Sequence, residues 1–292
     1  MTWLILTIVA SLFVSLGGIA DRYILKHDTS HPEILTAIWG LVSLFIFCSP
    51  AIYHQQINFS PLISIGGLAI GIIYLLSMYS YYASVAKAEI SRVIPILSIN
   101  PILVLIMATF LFQEIFHPLQ YLGMFIIIIG VIIVSYHGKD KHALPRQAFL
   151  LVALAACGFA IKNIITKGIS INQTDNYNLI FWIGIGIGIT SIFFFLKQKK
   201  SLLKISNKKF FHYFVTSSLN SFGSLFFTLA VTIGPVALIT FLSRIDILFV
   251  FIIAEALDYL RPNILKEKLN KNIFFQKLIS VILILIGSFL LI

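Results

Sequence analysis

The chain has 292 residues, of which 59% are hydrophobic and 11% charged, and its mean hydropathy is +0.99. Soluble domains are about 45–50% apolar and about 25% charged, so this composition excludes an ordinary soluble fold. A helix needs about 20 apolar residues to cross the hydrocarbon core of a bilayer, so ten spans use about 200 residues. The remainder suffices for short loops and leaves no room for a separate soluble domain.

The formal charge of +10 comes from 21 Lys and Arg against 11 Asp and Glu. In a soluble protein this excess is typical of nucleic-acid binding, but in a membrane protein it collects in loops beside anionic lipid. We therefore expect the lipid bilayer, and no nucleic acid, as the partner of these charges. Both cysteines lie in apolar stretches, so no disulfide framework is expected.

Apolar runs bounded by charged, proline or polar residues predict an all-α membrane protein with ten transmembrane helices. The predicted spans are 2–24, 33–53, 62–84, 91–112, 118–136, 147–167, 177–196, 209–232, 235–257 and 272–292. No basic region precedes the first run, so we expect a retained helix there rather than a cleaved signal peptide.

The basic residues predict how these spans are oriented. All of them except Lys162, Lys167 and Arg244 follow the first, third, fifth, seventh or ninth span. By the positive-inside rule that side is cytoplasmic, which puts both termini outside a bacterial cytoplasmic membrane.

The two halves of the chain resemble each other in order. The matches are residues 17–26 with 158–167, Trp39 with Trp182, Ser98-Ile-Asn-Pro with Ser243-Arg-Ile-Asp, and Gly130 with Gly287. They predict two five-helix repeats, 1–138 and 147–292. Because five is odd, consecutive copies enter the membrane from opposite sides, and such inverted repeats are typical of transporters that work by alternating access.

The five-plus-five pattern resembles the EamA-type transporters of the drug/metabolite transporter superfamily. The motifs that carry the resemblance are Ala88-Glu-Ile-Ser-Arg-Val-Ile-Pro-Ile-Leu-Ser-Ile-Asn-Pro followed by Glu114, and Gln120-Tyr-Leu-Gly with Gly130. The resemblance implies an inner-membrane carrier of small metabolites or drugs, with a cavity lined by spans 1, 3, 4, 6, 8 and 9. It also implies cytoplasmic termini, against the charge distribution. The chain departs from the family pattern at Trp39, where many members have Arg, and at Asp246, where Pro is frequent.

Arg244 and Asp246 lie near the middle of the ninth span. An ionisable side chain there costs at least about 2.5–3.5 kcal/mol, so each must face protein or a water-filled cavity. Residues two apart lie about 200° apart on a helix, so the two do not neutralise each other. One interpretation has Arg244 bind a substrate carboxylate or phosphate and Asp246 an amine; the other is that ion pairs brace neighbouring helices.

The eighth span carries a polar stripe. Ser217, Ser221, Ser224 and Thr228 share one helical face, with Asn220 beside them. The stripe either lines a hydrated pathway or is a seam of small residues that allows close helix packing. We place Ser217, Asn220 and Ser221 among the candidate substrate-binding residues.

The third and fourth spans add two further candidates. Tyr74 lies deep enough in the third span to contact a substrate, whereas Tyr79, Tyr81 and Tyr82 are expected in the interfacial aromatic belt. Pro95 and Pro101 interrupt the fourth span and predict a kink that frees carbonyl groups around Asn100, as a hinge or as a binding site.

Asp21 and Lys162 occupy equivalent positions in the repeat, near opposite faces of the membrane after inversion. We predict an Asp21–Arg92 ion pair as a cytoplasmic gate, with Lys162 as the gate residue of the other half. His27 and His31 have ligand-like spacing but lack a clear third ligand, so no metal and no cofactor are expected.

The best interpretation is a secondary transporter that moves a small amino-acid-like zwitterion or organic anion by alternating access, rather than an enzyme. One alternative is a proton-coupled drug or organic-cation exporter with Asp246 or Glu255 as the proton carrier. Another is a non-transporting accessory or lipid-handling membrane protein. A small-molecule substrate, coupling to protons or a counter-substrate, and a monomer or homodimer are the expected partners.

Overall fold

The computed structural model describes residues 1–27, 32–88, 90–135, 145–172, 175–202, 205–260 and 271–292, and the regular structure in these ranges is entirely helical. The helices are α1 (Thr2–His27), α2 (Pro32–Tyr53), α3 (Pro61–Val85), α4 (Ile90–Leu97), α5 (Ile99–Phe112), α6 (Pro118–Ser135), α7 (Arg146–Asn172), α8 (Asn176–Lys197), α9 (Lys199–Leu202), α10 (Asn207–Ile233), α11 (Val236–Leu242), α12 (Asp246–Leu260) and α13 (Lys271–Leu290).

Each predicted span coincides with one helix, except the fourth and the ninth, which are divided. Among the described residues, seven helical segments are long and apolar enough to cross a membrane. Shorter apolar helices lie at Ile99–Phe112, Pro118–Val134 and Phe275–Leu290. The chain is therefore a multi-pass helical membrane protein, while the full set of ten spans stays a prediction.

The fourth span is broken at Ser98, between α4 and α5. Pro101 lies in the first turn of α5, where its missing N–H would have bonded to Leu97 and its ring would clash with that carbonyl. A first turn tolerates proline because its N–H groups have no partner within the helix. The predicted kink is thus an interruption of one residue, in which Ser98 keeps a right-handed helical conformation and its N–H still donates to the carbonyl oxygen of Ile94 at 2.9 Å.

The ninth span is broken by a short 3-10 helix at Ser243–Ile245, between α11 and α12. The predicted angle of about 200° between Arg244 and Asp246 assumed a continuous α-helix. That assumption is wrong, because Arg244 lies inside the 3-10 turn and Asp246 begins α12. Ser98 and Ser243 are matched positions of the two halves, so both helices break at the same point of the proposed repeat.

Contacts between helices correspond in the two halves of the proposed repeat. α1 packs on α10 and α7 packs on α3, which are corresponding pairs in the two halves; α2 packs on α8, and α6 packs on α13.

Two close contacts of α1 and α7 correspond in the same way. A methyl group added at Gly17 would collide with the side chain of Asn220, and one added at Gly158 would collide with the hydroxyl of Ser77. Gly17 and Gly158 are matched positions. The spacing from Ser77 to Asn220 equals the spacing from Trp39 to Trp182, so Ser77 and Asn220 are matched positions as well.

The contacts between α6 and α13 also correspond in the two halves. A methyl group added at Gly123 would lie 2.7 Å from the carbonyl oxygen of Gly287, and one added at Gly130 would lie 3.1 Å from that of Ser280. The spacing in the sequence from Gly123 to Ser280 equals the spacing from Gly130 to Gly287. These two contacts therefore also correspond to each other in the proposed repeat.

The interior of the bundle contains an aromatic residue, Tyr82, that was expected at the membrane interface. Tyr82 is fully buried against the core between α1 and α2, because its helix face turns inward, and its hydroxyl has no hydrogen-bond partner. Trp39 is also fully buried, and its ring meets that of Tyr74 edge-on at 5.3 Å between centroids. For Tyr82 the interfacial expectation is wrong.

Candidate functional site

One face of α10 meets polar side chains from four different helices. We call the residues Ser217, Asn220, Ser221, Ser224 and Thr228 the polar face of α10. All five are buried, which follows from the spacing that puts them on one side of the helix. The four partners come from α1, α2, α3 and α7, so the polar face of α10 is where these helices converge.

Asp21 of α1 meets this face at Asn220. The amide Nδ2 of Asn220 donates a hydrogen bond of 2.9 Å to Asp21 Oδ2, while Asp21 Oδ1 has no hydrogen-bond partner. Asp21 is only 4% exposed. It does not end its helix, because α1 continues past it to His27. Its observed partner is therefore the polar face of α10. The side chain of Arg92, the other half of the predicted gate, lies outside the described residues.

Lys162 of α7 meets the same face at Thr228. Its Nζ donates a hydrogen bond of 3.2 Å to Thr228 Oγ1 and lies 4.3 Å from the centroid of the Tyr74 ring. An ammonium group carries three N–H donors, and this is the one hydrogen bond that Lys162 makes within the described chain. Lys162 is 2% exposed, and its ammonium group contacts the Thr228 hydroxyl and the faces of the Tyr74 and Phe227 rings.

Two neutral contacts lie between these charged ones. The hydroxyls of Ser43 and Ser221 share a hydrogen bond of 2.7 Å, and the Tyr74 hydroxyl donates one of 2.6 Å to Ser224 Oγ. Buried polar atoms nearby lack partners, namely Ser217 Oγ and Trp39 Nε1. Buried polar groups are normally hydrogen-bonded, so these atoms have unused capacity to bond a ligand or a water molecule.

The electrostatics of this region are unusual for a membrane protein. The ion pair Lys197–Glu33 lies away from the polar face of α10. The hydrogen-bond partners of Asp21 and Lys162 are the neutral side chains of Asn220 and Thr228. A buried charge without a counter-ion costs several kcal/mol, at least about 2.5–3.5 kcal/mol at a helix centre. A ligand that supplied both counter-charges would offset that cost.

Arg244 and Asp246 lie at the break between α11 and α12. Arg244 lines a cavity of about 110 Å³ together with Ser98, Ile102, Ile128 and Phe241. Arg244 Nε and Asp246 Oδ1 have no hydrogen-bond partners, so both groups have bonding capacity to spare. They do not join the polar face of α10 and form a second charged region.

Two serines of α1 lie against the break. Ser11 Oγ is 3.2 Å from the carbonyl oxygen of Ser243 and 2.8 Å from that of Thr7, and Ser15 Oγ is 2.9 Å from that of Asp246 and 2.6 Å from that of Ser11, so each hydroxyl hydrogen is shared between its own helix and the break. These two serines were not among the residues predicted from the sequence. Their signal was present, because Thr7, Ser11 and Ser15 recur every four residues and so share a face of α1.

Asn100 and Glu114 are both tied to backbone groups. Asn100 Nδ2 donates to the carbonyl oxygen of Ala156 at 3.1 Å, which connects α5 to α7. The carboxylate of Glu114 accepts from the N–H groups of Val236 at 3.1 Å and Ala237 at 3.4 Å. A carboxylate at a helix N-terminus satisfies free N–H groups and complements the helix dipole, so Glu114 links the end of α5 to the start of α11.

The described residues contain no group of three or more His, Cys, Asp or Glu that suits a metal ion. His31, one of the two histidines with ligand-like spacing, lies outside the described residues.

Comparison with known proteins gives a family match for the first half of the chain and a fold for the whole of it. Residues 1–136 match the model of the EamA-like transporter family. No curated protein matches the chain. A solved crystal structure, described only as that of a protein, matches with a TM-score of 0.76 and 14% identity, over 99% of this chain and 98% of the other. That likeness shows that the two chains share a fold along their whole length.

Proposed function

We propose that this chain, whose residues 1–136 match the model of the EamA-like transporter family, is a secondary transporter that moves a small charged organic solute across the cytoplasmic membrane by alternating access. The substrate class is an amino-acid-like or other small zwitterion, or an organic anion. Arg244 and Asp246 remain candidate contacts for the solute at a second point on its path.

The observation that carries the proposal is the polar face of α10. It brings a buried acid and a buried base, Asp21 and Lys162, to one helix without an ion pair between them in the described chain. Ionisable residues inside a membrane bundle are typical of a substrate or ion pathway. A purely structural bundle would gain by replacing both with apolar residues.

Alternating access is supported by the exchange of contacts between the two halves. The pairs α1–α10 and α7–α3 correspond, and so do the breaks at Ser98 and Ser243. In an inverted repeat, one half adopts the conformation of the other when access changes sides. Helix breaks within the membrane are sites where such a change is absorbed.

Uptake into proteoliposomes tests the function. Vesicles that contain the purified chain are incubated with a defined mixture of amino acids, dipeptides, carboxylates and organic cations, and the lumen is analysed by mass spectrometry. We expect solutes to accumulate above the level in protein-free vesicles, and to accumulate less with Asp21→Asn. Equal contents in both kinds of vesicle would contradict the proposal.

We also propose that the basic loops face the cytoplasm. Two single-cysteine variants, Lys199→Cys and Asn172→Cys, made after Cys48 and Cys157 are replaced by serine, lie on opposite sides in this arrangement. A membrane-impermeant maleimide added to intact cells should label the cysteine at 172 and leave the one at 199 unlabelled. The reverse labelling would support the termini-inside orientation that the family resemblance implies.

A second candidate is a proton-coupled exporter of organic cations. It is favoured by the buried carboxylate oxygens of Asp21 and Asp246 that lack hydrogen-bond partners, since a carboxyl group in such a place is suited to carry a proton. This candidate predicts that an imposed pH gradient drives cation transport and that Arg244→Ala leaves the rate unchanged.

A further inference from the structure

The two buried charges contact α10 at residues that lie eight positions apart on that helix. Asp21 is hydrogen-bonded to Asn220 and Lys162 to Thr228. Eight residues of an α-helix rise by about 12 Å, which sets the axial separation of the two contact points. The hydroxyls of Ser221 and Ser224 lie between them on the same face.

A ligand that bound both charges directly would have to fit this spacing. Each hydrogen bond from a charged group takes up about 3 Å, so about 6 Å remains between the charged ends of the ligand. A single amino acid covers roughly 3.5 Å, whereas an extended dipeptide covers roughly 7 Å. The α-amino and carboxylate groups of one amino acid are therefore too close together.

Resting on the proposed function, we infer that the polar face of α10 binds an extended zwitterion, with its anionic group at Lys162 and its cationic group at Asp21. The substrate class is a dipeptide or an ω-amino acid of similar length. Ser221 and Ser224, which now bond to Ser43 and Tyr74, are released to the polar middle of the ligand when it enters.

The burial of the two residues supports this assignment independently of the spacing. Asp21 Oδ1 lacks a hydrogen-bond partner, and Lys162 bonds to one hydroxyl while its charge rests on the Tyr74 ring. Each group can thus form a further hydrogen bond, and each can form it with the end of a zwitterion that carries the opposite charge. One charge alone would leave the other uncompensated, so singly charged solutes of the same length bind less well.

A length series tests the inference. Proteoliposomes containing the full chain are assayed for uptake of β-alanine, γ-aminobutyrate, ε-aminocaproate and ω-aminocaprylate, with hexylamine and hexanoate as singly charged controls. We expect ε-aminocaproate to be taken up about tenfold faster than β-alanine and than either control, which corresponds to one charge-assisted contact.

Variants of Lys162 and Asp21 test which residue binds which charged end of the ligand. Lys162→Met should abolish the discrimination between ε-aminocaproate and hexylamine, and Asp21→Asn that between ε-aminocaproate and hexanoate. If Lys162→Met does not fold, Lys162→Gln replaces it, and Lys167→Met removes a charge from the same helix as the matched control. A structural role for Lys162 would lower all rates equally and leave these ratios unchanged.

The outcomes separate this inference from the proposed function. Uptake that is independent of chain length, or greatest for β-alanine, would overturn the inference. So would uptake of other solutes from the defined mixture without any uptake of the length series, and in that case the proposed function stands. If no solute of the mixture enters, both fall.

Discussion

The amide of Asn220 donates a 2.9 Å hydrogen bond to the carboxylate of Asp21, and this is the hydrogen bond that ties the acid of α1 to the polar face of α10. The carboxylate has no other hydrogen-bond partner in the described chain, and its Oδ1 is left without one. Stability and function therefore make opposite demands on this pair, since a buried charge costs free energy of folding but is available to a substrate.

Replacement of the pair should separate the two demands. Asp21→Asn removes the buried charge while keeping its shape, so we expect an unchanged or higher unfolding temperature together with reduced uptake. Asn220→Ala leaves the carboxylate without its hydrogen bond and should destabilise the fold by about 1–3 kcal/mol. Thermal unfolding of the detergent-solubilised protein checks both. Ser218→Ala, a change at a half-buried position on the same helix, is the control, and a lower unfolding temperature for Asp21→Asn would contradict the account.

Two adjacent glycines offer a matched comparison. Gly17→Ala would collide with Asn220, whereas nothing lies within 4 Å of a methyl group added at Gly18. We expect Gly17→Ala to cost about 1–3 kcal/mol through overpacking and through displacement of Asn220 from Asp21. Gly18→Ala should be neutral or stabilise by about 0.5–1 kcal/mol, because alanine is the better helix former. Equal effects in thermal unfolding would argue against the close α1–α10 contact.

Tyr74 has two separable roles, as a hydrogen-bond donor and as the ring beneath Lys162. Tyr74→Phe keeps the ring and loses the bond to Ser224, which should cost about 1 kcal/mol and preserve uptake. Tyr74→Leu also removes the cation–π contact, which is worth about 2 kcal/mol when desolvated, so uptake should fall further. Tyr79→Phe serves as the control. Identical uptake by the Phe and Leu variants would show that the ring does not position Lys162.

Arg244 should behave as a functional residue rather than a structural one. Its Nε makes no hydrogen bond that could be lost, and the cavity beside it is mostly apolar, so Arg244→Leu should maintain or raise the unfolding temperature. If Arg244 contacts the solute on its path, uptake of anionic solutes falls in the same variant. A clear loss of thermal stability would instead support a structural ion-pair role.

The fold followed from the sequence to a large extent, because apolar runs of about 20 residues specify membrane helices by length and composition alone. The break at Ser98 was also foreseeable, since Pro101 carries it. The break at Ser243 has no proline, and the hydroxyls of Ser11 and Ser15, from a helix far away in the sequence, lie against its carbonyl groups, which no local pattern encodes.

The site was predicted less completely. The spacing of the polar face of α10 identified one side of the contact, and the repeat drew attention to Asp21 and Lys162. The pairing of each residue required knowledge of which helices are neighbours. Ser43 shows the limit, because a lone serine in an apolar span gives no sign that it meets Ser221 on another helix.

The most direct test of the account is uptake of the defined solute mixture by proteoliposomes that contain the wild type, Lys162→Met or Lys167→Met. Both variants remove one lysine from α7, but Lys162 contacts the polar face of α10 and Lys167 does not appear among its hydrogen-bond partners. The account predicts that uptake of the transported solute falls about tenfold or more with Lys162→Met and is unchanged with Lys167→Met, at equal protein content and stability. Equal uptake by the wild type and Lys162→Met would contradict it.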